Sequence, residues 1–281
     1  MVDLTTIILT LNEELNIKEC IESVQGISKR IVVIDSNSTD QTIAIAKSMG
    51  ADIYTRPFIN HSDQFQFGLS ETNITTKWIM RLDADERLTE KSAAELEKVC
   101  NENENTNVNG VVVRFEVNFL GKKLRHGGIY PFRKLIVFKR GLGQIEKRNM
   151  DEHIYLTEGK SVMLKNDSIH NDYKDLSTYI DKHNKYATKE MKDYFIQDEL
   201  KHADQKLNPT ARFKRFIKYK VYYKLPMGFR AYLYYVHRYY IKLGFLDGKE
   251  GKIFAFLQAY WYRFLVDAKI YEMKKNKRGK K

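Results

Sequence analysis

Three polar corners of this sequence carry residue types that could do chemistry. Asp83-Ala84-Asp85, continued by Glu86, sets two carboxylates on one side of an extended segment, about 7 Å apart at roughly 3.3 Å per residue. One carboxylate of such a pair can bind a hard divalent ion, Mg²⁺ or Mn²⁺, while the other reaches it through water or takes a ribose hydroxyl. The bland alternative is the acidic start of a helix over 89–100. Asp35-Ser36-Asn37-Ser38-Thr39-Asp40 offers Asp35 as an acceptor for a base or ribose donor, or is simply a polar turn. Thr10-Leu11-Asn12-Glu13 is the third corner. Further along, Asp151-Glu152-His153 interrupts a basic stretch. A carboxylate there is either a general base for a sugar hydroxyl or a surface ion-pair partner. His170 is a third metal ligand or a polar loop residue, and His126 and Tyr130 either frame a sugar or belong to an ordinary Gly-Gly turn.

Alternating strands and helices must position the three corners. Residues 4–10 form an apolar, β-branched run suited to a strand buried on both faces. Asn12 follows as a helix N-cap, and Leu15, Ile17, Cys20, Ile21 and Val24 recur with helical spacing. Strands at 31–34, 51–54 and 77–82 follow, with Asp40 capping the helix between the first two and Gly50 ending it. This alternation predicts right-handed βαβ units and a mostly parallel sheet flanked by helices. Ligands of such sheets gather at the carboxyl ends of the strands, where all three corners fall. From Val108 the period shortens, with apolar alternation over 111–119, a turn at 121–123 and strands at 135–138 and 154–156. These read as an antiparallel addition. Residues 173–204 read as a polar helix, and the rest as a C-terminal helical extension broken by Pro209, Pro226 and Gly244.

Composition narrows the class. The chain has 281 residues, of which 43% are hydrophobic and 30% charged, so it is globular rather than disordered. Cys20 and Cys100 are too few for a disulfide scaffold, which favours reduced thiols and a cytoplasmic setting. No signal peptide or membrane-spanning stretch is expected. The sequence contains neither G-x-G-x-x-G after the first strand nor G-x-x-x-x-G-K-[ST], which disfavours dinucleotide and P-loop sites and leaves phosphate charge to a metal. The net charge of +12 is uneven: residues 1–204 carry 28 basic and 32 acidic side chains, whereas 205–246 carry 10 basic and none acidic. The boundary drawn there divides a catalytic domain, 1–204, from a basic, aromatic extension, 205–281. Interleaved rings and cations suit RNA or an anionic membrane surface, and equally a helix pair whose lysine stems cover apolar surface.

Together these pieces resemble the family-2 glycosyltransferases, and within them the bacterial lipopolysaccharide core glucosyltransferase subgroup. The matching segments are residues 8–14, 33–42, 82–86, 126–131, 150–152 and 244–251. The resemblance implies a GT-A fold, a nucleotide-sugar donor (UDP favoured), a divalent metal, inversion at the anomeric carbon and a glycan or glycolipid acceptor. It implies that Thr10, Asn12, Glu13, Asp35 and Asp83 hold the nucleotide. Asp85, with Asp83, binds the metal, and His170 joins them. Glu152 or Asp151 is the base, relatives often having His at position 151, and His126 and Tyr130 lie on the acceptor side. For such an enzyme, attachment to the inner face of the cytoplasmic membrane is the favoured role of the basic extension, and no nucleic-acid partner is expected. A sugar nucleotidyltransferase is the nearest enzymatic alternative, although Leu9-Thr10-Leu11-Asn12-Glu13 lacks the glycine-rich loop it would carry, and a non-catalytic basic RNA- or membrane-binding protein is the alternative outside enzymes.

Overall fold

The computed structural model describes residues 1–146, 152–172, 174–196, 213, 216–217 and 220–278. Their contacts divide into two compact units. The first takes Met1–Asn118 and the described parts of Pro131–Lys147 and Glu152–Tyr173, and the second takes Phe119–Tyr130 and the described part of Lys174–Lys281. The compositional boundary at 204/205 lies outside the described residues.

The first unit is built on β1 (Val2–Thr10), β2 (Ser28–Asp35), β3 (Asp52–Thr55), β4 (Trp78–Asp83), β5 (Glu86–Arg87), β6 (Val108–Phe119), β8 (Phe132–Lys139) and β11 (Lys160–His170). Their order across the sheet is β3-β2-β1-β4-β8-β6-β11-β5. The first four of these strands are mutually parallel, as the βαβ reading requires. Strand β8 then runs antiparallel to both β4 and β6. The expected strands at 111–119, 135–138 and 154–156 all take antiparallel partners, and β11, which was not expected, pairs parallel to β6. A two-stranded antiparallel ribbon joins β9 (Gly143–Ile145) to β10 (Ile154–Leu156).

Burial on both sheet faces explains why β1 is almost continuously apolar. Leu4 and Ile8 pack with Ile17, Cys20 and Ile21 of α1 (Ile17–Gln25) and Leu96 and Cys100 of α4 (Glu90–Glu102). Ile7 and Leu9 point the other way, into a cluster with Val32, Ile34, Phe138 and Phe65 of α3 (His61–Glu71). The sequence reading did not anticipate α3, although its cap is visible: Asn60 accepts the amide of Asp63. Asn12 is not the cap of α1. It sits at φ 55 in the loop before it, and Asn16 takes the cap position. Nor is Asp40 the cap of α2 (Thr42–Ser48): Gln41 takes that position, while Asp40, one residue earlier, accepts the Thr42 amide 3.0 Å away.

The second unit is mainly helical; besides the short strand β7 (Lys122–Leu124) it contains α5 (Leu176–Phe195). Ala187 and Met191 of α5 pack on Tyr262, Val266 and Ile270 of the last helix, Tyr262–Arg278. Arg230 and Asp267 form a buried two-pronged ion pair, with Nε to Oδ2 at 2.7 Å and Nη2 to Oδ1 at 2.5 Å. Among the described residues no helix is long and apolar enough to cross a membrane.

Candidate active site

Register places the three corners side by side. Thr10 at the end of β1 pairs with Asp35 at the end of β2, and Leu9 pairs with Asp83 at the end of β4. Adjacent strands lie about 4.8 Å apart, so these carboxyl ends form one edge of the first unit.

On the β1–β2 side, hydrogen bonds tie two loops together. Thr10 Oγ1 donates to Asp35 Oδ1 at 2.9 Å, and Ser38 donates its amide to Oδ2 (2.7 Å) and its hydroxyl to Oδ1 (2.6 Å). The Asn12 amide donates to Ser38 Oγ, and Asn12 Oδ1 accepts the Thr39 amide. Glu13 donates its amide to Thr42 Oγ1, while its carboxylate accepts from Asn16 Nδ2 at 2.8 Å. Thr10, Asn12, Glu13 and Asp35 are thus brought together as expected from their positions. Asp35, however, is fully buried, and both its oxygens organise the loop.

On the β4 side, the chain is not extended through Asp83-Ala84-Asp85. The strand ends at Asp83, and Ala84 and Asp85 form a turn into β5. Nor do these acids start α4, which has its own capping box between Thr89 and Ser92. Instead they join a charged cluster. Lys134 Nζ, on β8, bridges Asp83 Oδ2 and Glu86 Oε1 at 2.7 Å each. Arg81 Nη2 lies 3.1 Å from Glu152 Oε1 and 3.3 Å from Asp83 Oδ1. Burial alone would raise the Asp83 carboxyl, but Lys134 and Arg81 outweigh it and hold Asp83 well below the usual carboxylate range. Glu86, wholly buried, is pushed up by burial, which Lys134 only partly offsets. Among the described residues two cations face four carboxylates (Asp83, Asp85, Glu86, Glu152), and the excess negative charge suits a divalent cation.

His170, at the end of β11, places Nε2 3.4 Å from Asp85 Oδ2, while its Nδ1 is buried with no partner among the described residues. One carboxylate oxygen beside one imidazole nitrogen suits Mn²⁺ better than Mg²⁺, which takes oxygen ligands. Among the described residues no three His, Cys, Asp or Glu side chains form a closed cage. An ion bound by few protein groups and by substrate phosphates does not need one. The donor set therefore fits a divalent metal.

Glu152 is nearly buried, at 9% side-chain exposure, whereas Asp151 lies outside the described residues. His126 and Tyr130 belong to the second unit. There His126 Nδ1 is 2.7 Å from the buried Asp247 Oδ1, and Arg125 stacks on Tyr130 with its guanidinium 5.5 Å from the ring centre. Arg81, Glu86 and Lys134 were missed from sequence. The available signal was Arg81 itself, a cation inside the buried run Trp78–Leu82, which demands an acidic partner.

With this geometry in hand, the model of glycosyl transferase family 2 matches residues 5–169, more than half of the chain. The chain belongs to that family. Its strand order and flanking helices are those of the GT-A architecture expected from the sequence. Among curated relatives, an uncharacterised glycosyltransferase of Rickettsia typhi is 24% identical, covering 97% of this chain and 88% of its own. The lipopolysaccharide core biosynthesis glycosyltransferase LpsC of Rhizobium meliloti is 29% identical, over 96% of this chain and 92% of its own. A crystal structure of glucosyl-3-phosphoglycerate synthase from Mycobacterium tuberculosis, in complex with Mn²⁺, UDP and phosphoglyceric acid, is 19% identical. It covers 41% of this chain and 43% of that one, with a TM-score of 0.33, a likeness that carries no inference about ligands.

Proposed function

We propose that this family-2 glycosyltransferase moves a sugar from a nucleoside-diphosphate donor, a UDP-sugar on the family resemblance, to a hydroxyl of a bacterial cell-surface glycan. A lipid-linked acceptor such as lipopolysaccharide core fits the relationship to LpsC, and would put the enzyme at the inner face of the cytoplasmic membrane. The observation that carries this reading is the gathering of Asp83, Asp85, Glu152 and His170 around one charged cluster beside the Thr10–Asp35 corner.

Asp85 and His170 would hold a divalent ion, with Asp83 behind them. When bound, such an ion offsets the negative charge that develops on the leaving diphosphate. Thr10, Asn12 and Glu13 border the nucleoside side, where Asp35 fixes the shape of the loop. Glu152 takes the proton of the attacking acceptor hydroxyl, and its salt bridge to Arg81 holds the carboxylate in one orientation. One base and no covalent nucleophile give a single displacement and inversion at the anomeric carbon. The second unit, with His126 and Tyr130, is assigned to the acceptor. A transfer assay with UDP-sugars tests this reading: release of UDP with an inverted glycoside supports it, and release of pyrophosphate would make the protein a nucleotidyltransferase instead.

A further inference from the structure

We propose that residues 240–246 of the second unit form an apolar knuckle that seats in the interfacial layer of an anionic bilayer. This deepens the membrane-side part of the reading above, and rests on it, by naming the segment that makes the contact. Tyr240, Ile241, Leu243, Phe245 and Leu246 are 43–66% exposed, so five of seven consecutive residues offer large apolar side chains to solvent. Scattered exposed apolar residues are normal, but a contiguous group of this kind marks an interaction surface.

The knuckle cannot relieve this exposure by folding inward. Gly244 is buried, and a Cβ there would meet the Arg238 carbonyl oxygen at 2.9 Å and Tyr239 Cα at 3.2 Å. Gly251 packs as closely, since its Cβ would lie 2.5 Å from the Gly244 carbonyl oxygen. Asp247 pins the other end by accepting the amides of Arg125 and His126 and contacting the His126 ring. Leu243 is held at φ 57, a left-handed conformation that a leucine adopts only where its surroundings impose it.

The backbone is also prepared for a poorly hydrated setting, where unpaired polar groups are costly. Lys242 donates its amide to the His237 carbonyl at 2.8 Å, Leu243 to Tyr240 at 3.2 Å and Leu246 to Leu243 at 3.0 Å. The Lys242 carbonyl accepts the Gly127 amide at 2.7 Å. Behind the apolar tip the rings of Tyr235, Tyr239, Tyr240 and Phe245 form one cluster, with neighbouring centroids 5.0–6.4 Å apart. Tyrosines with an apolar body and a polar tip suit the headgroup level.

Charge selects the occupant. Lys242 is exposed within the knuckle and Lys249 and Lys252 are exposed just after it, while Glu250 between them is paired with Lys122. Basic groups beside an inserted apolar tip favour anionic lipid over neutral lipid.

Sedimentation of the full chain with phosphatidylcholine vesicles, and with vesicles in which a quarter of the lipid is phosphatidylglycerol, tests the proposal. The wild type should bind the anionic vesicles preferentially. The Ile241→Ser/Leu246→Ser double variant should bind them on the order of tenfold more weakly at unchanged thermal stability, since both side chains are more than half exposed. A Leu246→Trp variant should shift its emission to the blue on the anionic vesicles. Equal binding by wild type and double variant, or no preference for anionic lipid, overturns the proposal. So does a concentration-dependent dimer that the same substitutions dissolve, which would make the knuckle a self-association surface. Transfer to a water-soluble acceptor, measured in parallel, separates the two readings: activity without vesicle binding sinks the knuckle alone, and vesicle binding without activity on any acceptor sinks the enzyme reading alone.

Discussion

Arg81 Nη2 lies 3.1 Å from Glu152 Oε1 and 3.3 Å from Asp83 Oδ1, so one buried guanidinium links Glu152, the proposed base, to Asp83. The two substitutions this contact suggests should behave differently. Glu152→Gln keeps an oxygen to accept from Arg81 and should fold normally. Its turnover should fall about 100- to 10,000-fold while donor binding is retained. Arg81→Met takes the cationic partner from the nearly buried Glu152 and should cost about 3–5 kcal/mol in urea unfolding. Full turnover in Glu152→Gln would move the base to another residue, Asp151 first.

Lys134 supplies the second positive charge of the cluster. Lys134→Met should destabilise the chain by about 3–5 kcal/mol, because Glu86 is wholly buried and has no water to turn to. Adding Glu86→Gln removes the stranded charge and should recover part of that loss. A double-mutant cycle by chemical denaturation measures the coupling. Strictly additive losses would mean that the pair contributes nothing of its own.

Much of this site was legible in the residues because strand order is local information. The runs at 2–10, 28–35 and 78–83 each end in a polar corner, and βαβ connectivity puts those ends on one edge without any knowledge of side chains. What the sequence concealed was long-range. Lys134 lies 51 residues from Asp83, and nothing local distinguishes it from the neighbouring Arg133. The parallel pairing of β6 with β11 was hidden for the same reason, since short alternating runs do not announce their partners. The loop role of Asp35 was hidden by its chemistry, because an aspartate that orders a turn and one that meets a ligand occur in the same kind of segment.

Burial sets the reactivity of the two thiols. Cys20 and Cys100 are both free and buried, and burial pushes the Cys100 thiol up to about 12 and Cys20 well above its ordinary value. At pH 8 neither is ionised to a useful extent, so neither should react with a disulfide reagent in the folded protein. Both should titrate after denaturation in guanidinium chloride. Rapid labelling of the native chain would contradict the packing of α1 and α4 against the sheet.

The pairing of Asp85 with His170 gives the prediction that bears most directly on the metal. Their oxygen and nitrogen stand 3.4 Å apart, near enough to share one ion. Adding Mn²⁺ with UDP should raise the melting temperature of the wild type, and ligand at about 100 times its Kd corresponds to roughly 2.7 kcal/mol. Asp85→Ala and His170→Ala should each lose most of that Mn²⁺-dependent rise, and a chelator should abolish it in the wild type. Asp35→Asn should behave otherwise. It weakens the acceptor for Ser38 and Thr10, so it should lower the melting temperature already without ligand, a loss that Asp85→Ala and His170→Ala need not share. An undiminished Mn²⁺ response in both Asp85→Ala and His170→Ala would remove the metal assignment and, with it, the charge argument for diphosphate departure at this edge of the sheet.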